Sequence, residues 1–407
     1  MRHAKRHLQS SSIFPILDRQ PVTLIRSRGR RQHRHSSAAP RQKSPPDRRA
    51  EPLTPLPPQL QARPALPCSK AQARDHHHRP VCDCLAMHRA APAPRSTAMP
   101  LPHLPLALAR LALWLLHLLL ANTLLSLLLP LSLFLSPTTT YNASSLIAST
   151  VWAHIQHLFT SANGARILVL GDALPPGESA IVVSNHVEWT DFYLVQALAQ
   201  RAGMLGRCRW FAKRELRWVP FLGWGLWAMG MPLVSRRWAE DEREMERVFE
   251  GVVGEGWPMW LISFSESTRL TPSKRALAAA HARKTNKTLP PHLLLPRTKG
   301  FAASVQHLRA APHVRAIYDL TLAYADTAQE PFAFQSPPTF AQSVLQGDIG
   351  RRWKMAVHVR RFVVEDLPGS EEGLRAWLEE RWVEKGEVLE GLKRGLEGGG
   401  GWEGVDL

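Results

Sequence analysis

Hydrophobic patterning divides the chain into recognisable elements. Ser179 to Ser184 (Ser-Ala-Ile-Val-Val-Ser) and Met259 to Phe264 (Met-Trp-Leu-Ile-Ser-Phe) are short apolar runs, the pattern of strands buried on both faces. Asp191 to Ala202 follows the first of them with apolar residues at helical spacing. In Ala239 to Glu255, Met245, Val248, Phe249, Val252 and Val253 form an apolar stripe over a charged remainder, which predicts a packing helix. Gly369 to Leu392 places Leu374, Trp377, Leu378 and Trp382 on one face of a charged helix that docks on the domain, and Gly398 to Gly401 predicts a frayed end. Strands interleaved with helices make this an α/β chain.

One stretch has no alternation. Leu104 to Leu135 is dominated by leucine and holds a single charge, Arg110. It exceeds the roughly 20 residues that cross a bilayer. Its length permits one tilted span, or a hairpin broken near Asn122 or Pro130 that returns to the same leaflet. A basic tail favours a cytosolic N-terminus, so a single crossing places the folded domain on the far side and a hairpin keeps it cytosolic.

Charge changes this picture only at the start of the chain. Residues 1–100 hold 19 Lys and Arg against 5 Asp and Glu, together with 15 of the 33 prolines. Such a stretch cannot bury a core and is expected to be disordered. The remainder carries 32 basic against 29 acidic residues, so the pI of about 10.4 belongs to the tail. A nucleic-acid binder needs a basic folded face with base-reading or stacking elements, and the rest of the chain offers none. Proline density also argues against an amphipathic mitochondrial transit helix. His76-His77-His78 beside Cys82 and Cys84 lacks the paired spacing of a zinc fold, and three of the four cysteines lie in this tail, which gives no disulfide framework. The expected organisation is a tail over 1–100, a membrane anchor over 101–137, a catalytic domain over 145–390 and a flexible C-terminus over 391–407.

The chemistry gathers after the two strands. Asn185-His186-Val187-Glu188-Trp189-Thr190-Asp191 sets a His five positions before an Asp. On one helix such a pair points about 140° apart. With His186 in the turn and Asp191 opening the helix, the imidazole folds back over the carboxylate. A neutral imidazole can then take a proton from an attacking hydroxyl, while the carboxylate fixes the tautomer. The bland alternative is a helix cap beside a satisfied turn histidine. After the second strand, Glu266, Ser267, Thr268 and Arg269 stand where open α/β sheets place ligands. Arg269 offers a planar fork to a phosphate and Thr268 a donor, whereas Glu266 only accepts and suits orienting Arg269 or a ligand hydroxyl. The alternative is a surface turn with an incidental ion pair.

In their order these blocks resemble the glycerophospholipid acyltransferase family, typified by 1-acylglycerol-3-phosphate acyltransferases. His186 and Asp191 match its Asn-His-x-x-x-x-Asp block, Glu266, Thr268 and Arg269 its Phe-Pro-Glu-Gly-Thr-Arg block, and Pro296 its later proline. Leu295-Pro296-Arg297-Thr298-Lys299-Gly300-Phe301, Ile317 to Leu322 and Val357 to Phe362 look like its eukaryotic branch, and the likeness covers about residues 145 to 390. It implies a mixed sheet flanked by helices. It also implies an acyl-coenzyme A co-substrate, a lysophospholipid acceptor, a lipid membrane, no other cofactor and no metal. His186 and Asp191 are the implied catalytic pair. Glu266, Thr268 and Arg269 hold the glycerol phosphate, with Lys213, Arg236, Pro296, Arg297 and Lys299 as further substrate ligands. The endoplasmic reticulum is expected ahead of the mitochondrion.

Arg209 to Trp238, rich in Trp, Gly and Met, matches the family's second block and suits an apolar groove, a membrane-facing surface or an aromatic core. Ser265 and Ser267 depart from the family's Pro and Gly. The second change is harmful if that position needs a positive φ. The lead acceptor is 1-acylglycerol-3-phosphate, giving phosphatidic acid. Alternatives are a remodelling enzyme for lysophosphatidylinositol or another lysophospholipid, and an inactive membrane protein that keeps the fold.

Overall fold

The computed structural model describes residues 104–407 except positions 221 and 236. They belong to the unit Met87–Leu407; the other unit, Met1–Ala86, lies outside them, as do the expected tail over 1–100 and Arg236.

Apolar composition builds the first helix. α1 (Leu104–Leu131) runs unbroken through Asn122, whose side-chain amide donates to Leu118 O (2.8 Å), and Pro130 falls in its last turn. The helix is therefore not broken at Asn122 and ends just past Pro130. The chain reverses after α1 instead: Ser136 caps α2 (Pro137–His157), Pro137 opens it, and α2 returns along α1 to bring His154 Nδ1 within 3.0 Å of His117 Nδ1.

β1 (Leu168–Gly171), β2 (Ser179–Ser184), α3 (Asp191–Arg201), β3 (Cys208–Trp210), β4 (Ala212–Lys213), α4 (Leu222–Ala228), β5 (Leu233–Val234), α5 (Trp238–Glu255), β6 (Trp260–Phe264) and α6 (Pro272–Lys284) follow. α7 (Thr298–Leu308), β7 (Val314–Asp326), β8 (Ala333–Phe334), α8 (Phe340–Leu345), α9 (Ile349–Arg352), β9 (Trp353–Val363), α10 (Glu371–Glu397) and β10 (Val405–Asp406) complete the chain. Among the described residues the main sheet has eight strands in the order β10-β1-β9-β7-β2-β6-β3, with β8 paired to β7. β7, β2, β6 and β3 run parallel, while β9 is antiparallel to β7 and β10 to β1, so this is a mixed sheet flanked by helices. The parallel run explains why β2 is buried at every position: both of its faces are covered.

Two cores result. One gathers Phe159, Tyr193, Leu194, Trp260 and Tyr318 with Leu125 of α1. The other gathers Ile181, Phe249, Phe301, Leu374 and Trp382, on the α5, α7 and α10 side. The tryptophan-rich stretch divides: Trp210 is buried, while Trp218, Trp224 and Trp227 of the α4 region are exposed beside the leucines of α1. α4 lies so close to α1 that a Cβ on Gly225 would come 2.3 Å from Asn122 Oδ1, so any larger residue there forces the Asn122 side chain to shift.

The flexible end expected over 391–407 is corrected. α10 continues to Glu397, Trp402 is buried and donates to Leu392 O (2.9 Å), and β10 returns to pair with β1. One indole and two strand residues pin the chain after the glycine run.

Candidate active site

β2 and β6 are neighbours and parallel, so the turns that leave them emerge side by side at one edge of the sheet. Asn185 fixes the first turn. Its side-chain amide donates to Leu322 O (3.0 Å) and its carbonyl accepts from Leu322 N (2.8 Å), extending the pairing of β2 with β7 by one side chain. His186 therefore leaves the sheet at a fixed point, and α3 begins five residues later with Asp191.

Asp191 is wholly buried. Its Oδ2 receives His186 Nδ1 (2.7 Å), Val187 N (2.6 Å) and Glu188 N (3.1 Å), and its Oδ1 receives the Tyr324 hydroxyl (2.6 Å). Burial, then the adjoining Asp191 charge, pushes the Tyr324 phenol well above its usual range, so it stays a donor. The carboxylate also opens a helix, where the macrodipole favours negative charge. His186 is thus held through Nδ1, with 15% of its side chain exposed and no hydrogen bond to Nε2 among the described residues. Phe264 stacks on the imidazole (centroids 4.2 Å apart, planes 10°) and Phe192 meets it edge-on at 6.2 Å. A group poised this way can abstract a proton from a hydroxyl placed at Nε2.

The turn after β6 is tied to the first and to the later block. Ser265 N donates to Ser184 O (3.2 Å), Leu270 N to His186 O (2.8 Å) and Arg297 N to Ser265 O (2.6 Å). A proline at 265 could not make the first of these bonds. Glu266 differs from its expected role. It is 3% exposed, and its oxygens accept Leu294 N (3.0 Å) and His186 N (3.3 Å). Burial pushes its carboxyl up to about 8, against the lowering effect of those two amides. With both oxygens engaged by backbone, it braces the two loops. It is not paired to Arg269, which instead joins the Glu188 carboxylate beside His186.

Thr268, Pro296, Arg297 and Lys299 line a cleft of about 920 Å³ floored by Glu266 and Trp382. Lys274 Nζ stands there, 2.5 Å from Thr268 Oγ1 and 3.3 Å from Arg269 O. Lys299 Nζ lies over the Trp238 ring at 4.1 Å. Lys213 is not brought to this cleft; it lines a separate recess of about 310 Å³ with Glu215, Val234 and Ser235. Ser267 sits at φ 56°, and its N–H donates to Phe264 O (2.8 Å), so the position where the family has glycine is a left-handed one.

Tyr324, Phe264, Glu188 and Lys274 went unread in the sequence. Tyr324 lies 133 residues from Asp191 and meets it only through sheet order. Lys274 carried a weak signal, a cation in the first turn of a helix, where the dipole disfavours it.

Residues 166–325 match the family model described as Acyltransferase, and residues 348–398 match Acyltransferase C-terminus. The chain is 30% identical over 260 residues to 1-acyl-sn-glycerol-3-phosphate acyltransferase 2 of Brassica oleracea, covering 63% of each protein. It is 30% identical over 250 residues to 1-acyl-sn-glycerol-3-phosphate acyltransferase 3 of Arabidopsis thaliana, covering 60% of this chain and 62% of the plant protein. It is also 30% identical over 227 residues to lysocardiolipin acyltransferase 1 of Danio rerio, covering 56% of each. The match thus spans less than two thirds of these relatives. With two matched regions that together cover just over half of its length, the first of which contains the His186–Asp191 pair, the chain belongs to the acyltransferase family.

Proposed function

We propose that this protein transfers an acyl group from acyl-coenzyme A to the free hydroxyl of a lysophospholipid, with 1-acylglycerol-3-phosphate as the lead acceptor and phosphatidic acid as product. The carrying observation is the His186–Asp191 pair, closed through Nδ1 and open at Nε2. Nε2 takes the acceptor's hydroxyl proton as its oxygen attacks the thioester carbonyl. The C–O bond forms, the C–S bond breaks, and the proton passes from the imidazolium to the departing thiolate. No serine or cysteine nucleophile is needed, because the thioester is already activated. Asp191 holds the tautomer and stabilises the imidazolium.

Arg269 is the cation for the acceptor's phosphate. It is half exposed and paired with Glu188, so phosphate can displace the carboxylate and gain a bidentate partner beside the base. The exposed leucines of α1 and tryptophans near α4 form the membrane contact, with the endoplasmic reticulum as the expected site. A second reading, a remodelling enzyme for a larger lysophospholipid, is favoured by the likeness to lysocardiolipin acyltransferases at equal identity.

The test offers labelled oleoyl-coenzyme A and a panel of lysophospholipids to membranes containing the full chain, with His186→Ala alongside. We expect product from one acceptor class and a loss of about 10² to 10⁴ in turnover in the variant. Activity close to wild type in His186→Ala would sink the mechanism.

A further inference from the structure

Acyl transfer from coenzyme A joins two phosphate-bearing substrates, one a membrane lipid and one soluble in water, and the cationic groups of this molecule fall into two places. Arg269 stands beside Glu188, next to His186. Lys274, Arg297 and Lys299 line the cleft between α6, the start of α7 and α10. We propose that this cleft receives the phosphorylated nucleotide end of the acyl donor, with Lys274, Arg297 and Lys299 as its phosphate ligands. The inference rests on the acyl-coenzyme A reading above.

Charge is the first reason. Among the described residues none of these three side chains has a carboxylate partner: Lys274 meets a hydroxyl and a carbonyl, and Lys299 a ring face. On the opposite wall the cations are already neutralised, Lys287 by Glu379 and Arg375 by Glu371. The floor adds little negative charge, because burial favours the protonated form of Glu266. α6 and α7 both begin at this cleft with no acidic residue in the first turn, so their dipoles add positive potential to the three cations. An anion relieves all of these at once.

Position is the second reason. α1 packs on α2, α4 and α8, and its buried Leu125 joins the core on that face of the sheet. The cleft is walled by α7 and α10, whose Phe301, Leu374 and Trp382 belong to the core on the other face. A lipid acceptor approaches from the α1 side, where the His186 ring lies among Phe192, Phe264 and Trp210. A soluble nucleotide has open access from the far side.

Shape is the third. About 920 Å³ exceeds what one phosphate fills, and Leu277, Ala278, Pro296 and Val383 offer apolar wall to a planar base. Glu266 ties the cleft to the loop that carries the base: it lines the cleft and accepts the His186 backbone N–H. From the cleft, the extended arm of the donor carries its thioester past the Thr268 turn toward His186.

The experiment uses the full chain in lipid nanodiscs, with Lys274→Glu and Arg297→Glu as charge reversals and Lys274→Met as the milder change, folding being checked by thermal unfolding. KM for oleoyl-coenzyme A, at saturating acceptor, is expected to rise about tenfold or more, the worth of one charge-assisted hydrogen bond. KM for the acceptor should move by no more than about twofold, since that interaction is elsewhere. Competition by adenosine 3′,5′-bisphosphate should weaken in step with the donor KM. A rise in acceptor KM without a rise in donor KM would overturn the assignment in favour of a lipid headgroup, and no change in either would show Lys274 and Arg297 inert and overturn it too. Binding of labelled adenosine 3′,5′-bisphosphate by equilibrium dialysis is read independently of turnover. Binding by wild type that the reversals abolish supports the site even where no acyl transfer is detected, and no binding by wild type overturns it.

Discussion

The turns after β2 and β6 each close around a buried carboxylate, and the two are wired differently. Asp191 collects four donors, one of them a side-chain hydroxyl from β7, and sits at a helix start. Glu266 collects two backbone amides and forms no ion pair among the described residues. The first arrangement supports a negative charge against an imidazole that gains a proton during turnover. The second tolerates its charge poorly and works as a brace between the His186 loop and the Leu294 loop. Two acids that both hydrogen-bond to His186 are thus an electrostatic partner and a structural strut. The number of donors around each separates them.

If the difference is real, removing charge at Asp191 costs far more activity than removing it at Glu266. Asp191→Asn puts an amide where three donors converge, so the histidine loses its tautomer and a buried amide is left mispaired. We expect kcat to fall by about 10² to 10⁴ and stability by about 1–3 kcal/mol, read by acyl-transfer kinetics and chemical denaturation. Retained turnover would mean that Asp191 serves only to cap α3.

Arg269→Ala tests the pair that joins the two turns. Its loss should raise acceptor KM by about tenfold while stability changes by about 0–1 kcal/mol, as for other half-exposed ion pairs. A matching rise in donor KM would contradict the separation of acceptor and donor sites.

Glu266→Gln probes the strut through pH. The wild-type carboxyl is raised from 4.5 to about 8 in the folded state, so between those values the native protein holds a proton that the unfolded chain has released. Stability from this group is therefore full below pH 4.5 and is lost as pH rises through about 8. The glutamine variant lacks that slope and should gain on the wild type across the same window in denaturation curves at stepped pH. Parallel curves would mean that Glu266 titrates normally.

Much of this site was legible because its parts are local. Burial on both faces of a parallel strand leaves an unbroken apolar run, so β2 and β6 stood out, as did the amphipathic α5 and α10. Spacing alone required His186 to leave the helix if it was to reach Asp191. The rest depended on register and distance along the chain. Tyr324 reaches Asp191 only because β7 lies beside β2, and Arg269 finds Glu188 across 81 residues. Glu266 read as a ligand because nothing in a turn sequence reveals that two amides from other loops will take its oxygens. The C-terminal glycines read as an end because a single indole, Trp402, has no periodicity.

Ser267→Gly carries the smallest effect and bears most directly on whether the brace is intact. At φ 56° an L-residue pays about 1–2 kcal/mol relative to the right-handed region, whereas glycine adopts the conformation freely but has more backbone freedom to lose on folding. The net expectation is a gain of about 0.5–1 kcal/mol in the variant. Ser267 is exposed, and the turn closes through its backbone N–H to Phe264, which either residue provides. Turnover should therefore change little. A large rise in turnover with no change in stability would place the defect in phosphate approach, and would revive the view that this serine weakens an otherwise complete site.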